Sequence, residues 1–180
     1  AALGEEYFQQ GYNVFIPRQP RHGLQELDGS PLKGLTAEEL AQFGTEIADI
    51  AQGLGDRVVI AGLSGGGSVA TWLTQERADI DQAVPIAPFL GIGFIPRPLT
   101  RPLTNLILLL PDFHQWWDPV HKIDNPLAAP YSYRGYSMHA LFENLRLGFT
   151  AEEDAKRVKP AVGSILVITN ANDNSVNNEV

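Results

Sequence analysis

Hydrophobic and polar positions along the chain change period several times, and each change predicts an element. Residues 3–10 read as the end of a helix. Gly11 then punctuates before Tyr12-Asn13-Val14-Phe15-Ile16, a β-prone run stopped by Pro17, which predicts a short buried strand. Arg18 to Lys33 is rich in Pro, Gly and charge and keeps neither period, so it predicts a loop. Thr36-Ala37-Glu38-Glu39 has the form of a capping box. Leu40, Phe43, Ile47, Ile50 and Leu54 follow at helical spacing, with Gly53 and Gly55 near the stop.

Arg57 to Ala61 predicts a strand, Ser64 to about Glu76 a helix, and Ala83 to Ala87 another short apolar strand before Pro88. From Pro88 to about Glu153 the pattern breaks into proline-rich turns, the apolar run Leu106 to Leu110, Trp116-Trp117-Asp118-Pro119, and a helix from Ser137 to Leu147. That helix is expected to turn Leu141, Leu145 and Phe142 inward and leave Glu143, Asn144 and Arg146 in solvent. A charged helical segment from Thr150 to Lys159, with Thr150 and Glu153 as a second capping box, leads into a strand over Ser164 to Thr169. Strands alternating with helices imply an α/β fold with a mostly parallel sheet flanked by helices. The organisation expected is a core over 1–87, a helical insertion over 88–153, and a return to the core over 154–180.

The candidate chemistry sits where the Arg57 strand meets the next helix. Gly62-Leu63-Ser64-Gly65-Gly66 is a Gly-x-Ser-x-Gly run between an apolar strand and an amphipathic segment carrying Val69, Ala70 and Leu73. A strand that turns directly into a helix strains the residue at the corner, and flanking glycines relieve the crowding. Such a corner exposes the Ser64 hydroxyl as a nucleophile. The unpaired N–H of Gly65, at the start of the helix, suits an oxyanion forming on an acyl substrate. A glycine-rich turn is also compatible with a structural corner or a phosphate cradle. The phosphate motifs require Gly-Lys-Ser/Thr, or a Gly-x-Gly-x-x-Gly run with an acidic residue ending the next strand. Here no lysine follows, and that strand ends Pro85-Ile86-Ala87-Pro88.

The strand, Gly62-Leu63-Ser64-Gly65-Gly66 and the following helix resemble the nucleophile elbow of the α/β-hydrolase superfamily, in its carboxylesterase and monoacylglycerol-lipase-like branch. Asn13-Val14-Phe15-Ile16-Pro17-Arg18 leading into His22-Gly23 is similar to the strand and Gly-His-Gly turn upstream of that elbow, with Arg21 in place of the first glycine. The resemblance implies a serine hydrolase acting on carboxylic esters, lipid esters among them, without a cofactor, and a chain order of Ser, then acid, then His. Asp173 fits the acid, because it lies in the loop after the Ile165 to Thr169 strand. The resemblance also implies that the segment from Pro88 onward is a cap over the nucleophile, with Phe89, Trp116 and Trp117 lining an acyl pocket. In the same family the second oxyanion donor and a neighbouring strand lie upstream of residue 1, so a gap beside the Arg57 strand is expected.

All four histidines, His22, His114, His121 and His139, precede Asp173. The triad's expected base therefore falls beyond Val180, and the chain reads as truncated at both ends, with this piece inactive. The alternatives are a non-catalytic relative that binds a small molecule, or an amidase, peptidase or acyltransferase of the same fold. His22 is the weaker candidate for a base already present. His114 and His121 with Asp112 and Asp118 match no metal-ligand spacing, so no metal is expected.

Composition adds three exclusions. A formal net charge of −8 over 180 residues repels a phosphate backbone, so nucleic acid is not an expected partner. The absence of Cys removes disulfides, thiolate nucleophiles and cysteine zinc sites, and leaves the compartment open, with the cytoplasm as the default. Leu106 to Leu110 falls far short of the roughly 20 apolar residues that a membrane-spanning helix needs.

Overall fold

The order of elements follows from where the chain can bury apolar side chains against one small parallel sheet. The computed structural model describes residues 2–127, 129–130, 132–173 and 175–177. Tyr131, at the head of the segment leading to the Ser137 helix, Asn174 in the acid loop, and Val180 lie outside the described residues.

Helix α1 (Ala2–Gln9) buries no residue. The expected strand over Tyr12 to Ile16 does not form. That segment pairs with no strand among the described residues, and Tyr12 and Ile16 are 58% and 65% exposed. Its attachments include a side-chain bond from Asn13 to Leu54 O and contact between Ile16 and Gly4 of α1. β propensity makes a strand only where a neighbour completes the ladder, and none lies beside this run among the described residues.

Helix α2 (Ala37–Gln52) starts where the capping box placed it, with Thr36 Oγ1 accepting from Glu39 N at 3.1 Å. Its buried face is rotated from the one expected: Leu40, Gly44 and Ala48 face inward, while Ile50 and Leu54 are exposed. Gly44 sets the rotation. A Cβ there would lie 3.1 Å from Val69 Cγ1 and 3.3 Å from Trp72 Cζ3, so the small residue lets α2 approach the next helix closely.

Strand β1 (Val59–Leu63) leads through Ser64 into helix α3 (Gly65–Glu76), and strand β2 (Gln82–Ile86) follows. β2 lies between β1 and β5 (Ser164–Ile165), all parallel, with Val59 opposite Gln82 and Gln82 opposite Ser164. Beyond β5, Leu166 N donates to Ala83 O and Ile168 N to Pro85 O, so parallel pairing runs on to Ile168. Helix α3 packs on the Ile60 side of β1 and β2, where Leu73, Ile80 and Ala83 form the core. The other side of the sheet, including Val59, Leu63, Leu166 and Ile168, is exposed. The outer edge of β1 has no partner among the described residues.

After β2 the structure is more regular than the sequence suggests. Helix α4 (Arg97–Leu109) forms despite its prolines. Pro98 occupies the first turn, where its missing N–H costs nothing. Pro102 lies inside the helix, and the loss of its bond is offset by packing on helix α5 (Met138–Ala155). There the Arg101 guanidinium sits 4.9 Å from the Phe149 ring centre and donates to Phe149 O. Strands β3 (His114–Trp116) and β4 (Gly135–Ser137), neither of them expected, pair antiparallel.

Helix α5 is one continuous helix where two were expected. Ser137 caps it, accepting from Ala140 N, but Thr150 is internal and its hydroxyl donates to Arg146 O. Gly148 does not break it, because that position is buried where a Cβ would lie 2.8 Å from Leu90 Cδ2. Glu143 also departs from expectation. It is buried, and it accepts from Ala37 N at 2.9 Å and from Arg146 Nη1 at 3.0 Å, so α5 caps the start of α2. An N-terminal turn of N–H groups is a favourable seat for a carboxylate.

Candidate active site

Ser64 stands at the corner between β1 and α3 with φ 53° and ψ −114°. That conformation is strained for any residue with a Cβ, at a cost of order 1–3 kcal/mol. Backbone bonds hold it there: Ser64 N donates to Ile86 O, while Ser64 O accepts from Ser68 N and Phe89 N. The side chain takes no part in capping α3, and the residue is exposed.

The glycines around Ser64 are a steric necessity. A Cβ on Gly62 would lie 2.0 Å from Gly66 O, and one on Gly67 would lie 2.8 Å from Pro88 Cα. Leu63, between Gly62 and Ser64, is 66% exposed. Gly65 and Gly66 open the first turn of α3, where N–H groups lack helical partners.

Because β1, β2 and β5 are parallel, the loops after all three leave the same edge of the sheet. Ser64 follows β1 and Asp173 follows the β5 extension, so the fold brings both to that edge. Asp173 is partly buried, and its Oδ1 accepts from Ser175 N at 2.8 Å. The loop beyond it pairs with the segment after β2 through Gly93 N to Ser175 O and Asn177 N to Gly91 O.

The upstream turn that resembles a Gly-His-Gly turn carries Arg21 in place of its first glycine. Arg21 has φ 61°, a left-handed conformation that glycine takes freely. Arg21 is held there by an ion pair with Glu39 at 2.9 Å and a bond to Lys33 O at 2.7 Å. His22 Nδ1 bonds Pro20 O at 2.9 Å, and its ring stacks on Tyr133. These contacts give His22 a role in fixing the turn.

No histidine among the described residues hydrogen-bonds Ser64 or Asp173. His139 Nε2 bonds Leu110 O, and His114 meets the edge of Trp116. His121 pairs with Asp118 at 2.6 Å, and that bond holds the Asp118 carboxyl below its usual range. Asp112 accepts from Ser137 Oγ and His139 N. Among the described residues, no three His, Asp or Glu side chains gather as a metal site requires. No described helix is long and apolar enough to cross a membrane.

The residues expected to line an acyl pocket separate. Phe89 is buried with Ile92, Phe142 and Leu145, so its ring serves the core while its N–H supports Ser64. Trp116 ends β3, and Trp117 is 61% exposed with its ring on Tyr136. Sequence reasoning missed two neighbours of the corner, Gln19 against Gly66 and Asn144 against Gly65. The run Gly65-Gly66-Gly67 was the signal, since consecutive glycines at a helix start mark close approach by something else.

Residues 1–179 match the model of the alpha/beta hydrolase family. The fold is similar to a solved chain reported with LipS and LipT, two metagenome-derived lipolytic enzymes. That match has a TM-score of 0.67 and 18% identity, over 95% of this chain and 77% of the other. It is also similar to a monoacylglycerol lipase from Paleococcus ferrophilus, with a TM-score of 0.55 and 20% identity. There it covers 81% of this chain but spans only 58% of the lipase. No curated protein matches the sequence.

Proposed function

The chain belongs to the alpha/beta hydrolase family, and from that premise we propose that it is a serine hydrolase of carboxylic esters with Ser64 as its nucleophile. The observation that carries the reading is the backbone of Ser64. A non-glycine residue held at φ 53° between a parallel strand and a helix, with an exposed hydroxyl, spends folding energy on presenting that hydroxyl. A structural corner would use glycine.

In this reading Ser64 Oγ attacks the ester carbonyl and gives its proton to a histidine base. The Gly65 N–H stabilises the negative charge that develops on the carbonyl oxygen. The alcohol leaves with the proton returned by the base, and water then releases the acid from Ser64. Asp173 orients the base and stabilises its charged form. The order of Ser, acid and His puts that base after Asp173 in the chain.

Acyl contact is assigned to the apolar surface of the segment expected to act as a cap. Leu106 and Leu109 of α4 are 55% and 83% exposed, and Trp117 adds an aromatic face. Lipolytic activity in the two structural neighbours supports an ester over an amide substrate.

The test is an assay of the full-length protein with p-nitrophenyl butyrate and the matched butyryl p-nitroanilide. The expected result is turnover of the ester, with the anilide cleaved far more slowly. Preference for the anilide, or no turnover of either, counts against the reading.

A further inference from the structure

Helices α4 and α5 meet around a cleft of about 360 Å³, within the ~300–1,000 Å³ of small-molecule sites. Its lining is of two kinds. Leu90, Pro98 and Phe149 supply apolar surface, while Arg97, Arg101 and Lys156 bring three positive charges against the single carboxylate of Glu152. Neither Ser64 nor Asp173 lines it, so binding there is separate from the proposed catalysis.

The surplus of positive charge persists when the surroundings are counted. Arg97 pairs with Glu152 at 2.8 Å, and Arg101 with Glu153 at 2.9 Å and Glu152 at 3.6 Å. Lys156 pairs with both carboxylates, and Arg157 with Glu153. Four cations thus share two carboxylates. Arg146 and Asp154, in the adjoining hollow that also holds Arg101 and Phe149, add one charge of each sign. The whole chain carries −8, so this positive excess is a local feature.

The three cations of the cleft are not equally committed. Arg101 is fixed, donating to Phe149 O at 3.0 Å with its guanidinium 4.9 Å from the ring centre. The side chains of Arg97 and Lys156 are 50% and 55% exposed. Among the described residues Arg97 bonds only Glu152, through one Nη, which leaves most of the donors of its guanidinium open to a ligand. Exposed ion pairs contribute little to stability, so joining α4 to α5 does not account for four cations gathered at one place.

We propose that this cleft binds a small amphipathic anion, with a carboxylate or phosphate head on Arg97 and Lys156 and an apolar body against Leu90, Pro98 and Phe149. A guanidinium fork matches either head. The apolar wall adds affinity that a bare inorganic ion cannot use.

The test is calorimetric titration of the full-length protein with benzoate and phenyl phosphate, and with inorganic phosphate and benzyl alcohol as controls that each lack one half of the contact. The two amphipathic anions bind at least tenfold tighter than either control, and the tighter of the two identifies the preferred head. Arg97→Gln and Lys156→Gln each raise Kd about tenfold, as expected for one lost charge-assisted hydrogen bond. Glu152→Gln lowers Kd, because it removes the carboxylate that competes for the same cations. Melting curves show that each variant is folded, and ester turnover is unchanged in all three. No binding of either anion, benzyl alcohol binding as tightly as benzoate, or a Kd unmoved in both Arg97→Gln and Lys156→Gln overturns the proposal.

Discussion

Ser64→Ala abolishes ester turnover, with kcat falling about a million-fold as in other hydrolases stripped of their nucleophile, while the folded structure stays intact. The backbone explains why the two effects separate. The bonds that hold the corner run through Ser64 N and O, to Ile86, Ser68 and Phe89, and none uses the hydroxyl. Alanine keeps all of them and suffers the same backbone strain, so its stability changes by less than about 1 kcal/mol. Ser64→Gly is a sharper variant. It also removes the nucleophile, but it releases the strain at φ 53°, so it melts higher than Ser64→Ala despite the greater freedom of glycine in the unfolded chain. Kinetics and melting of the two variants together check the account. A melting point for Ser64→Gly below that of Ser64→Ala removes the argument from strain.

Gly62→Ala is expected to cost both stability and activity. The new methyl would lie 2.0 Å from Gly66 O, a backbone atom in the first turn of α3 that moves only if the turn itself moves. Overpacking against side chains costs about 1–3 kcal/mol, and a clash with fixed backbone falls at the top of that range. For a chain of this size that lowers the melting temperature by roughly 6–12 °C. Relief of the clash displaces Gly66 and with it the Gly65 N–H, so kcat falls as well. A Gly62→Ala protein with unaltered melting and turnover shows that the corner is not packed as described.

The contrast between these variants marks what the sequence makes legible. Gly62-Leu63-Ser64-Gly65-Gly66 between a strand and a helix is a local pattern governed by sterics within a few residues, and the structure has that turn. The Thr36 cap is local in the same sense. The place of Asp173 at the Ser64 edge of the sheet was legible at one remove, because a loop after a parallel strand leaves the same edge wherever the rest of the chain goes.

What was not legible depended on partners distant in sequence. Tyr12 to Ile16 has the composition of a strand but no neighbour to pair with. Pro98 and Pro102 mask α4, whose stability comes from Arg101, Phe149 and the Glu152 and Glu153 carboxylates of α5. Hydrogen bonds from Arg97 and Lys156, working against burial, hold the Glu152 carboxyl below its usual range, so that it stays charged in this network. Gly148 and the Thr150 box suggested a break in α5, yet Gly148 is there because Leu90 packs against it. Glu143 had the spacing of a solvated position, and the arrival of α2 gives it a partner in Ala37 N. Gln19 and Asn144 belong to the same class, since their place beside Gly66 and Gly65 is created by the tertiary fold.

The nucleophile itself is tested most directly by a fluorophosphonate, which forms a covalent bond only with an activated hydroxyl. The full-length protein is treated with the reagent and digested, and the modified peptide is mapped by mass spectrometry. The account predicts a single adduct on Ser64, slowed by a competing ester. An adduct on another serine, or ester turnover that survives with Ser64 unmodified, contradicts it.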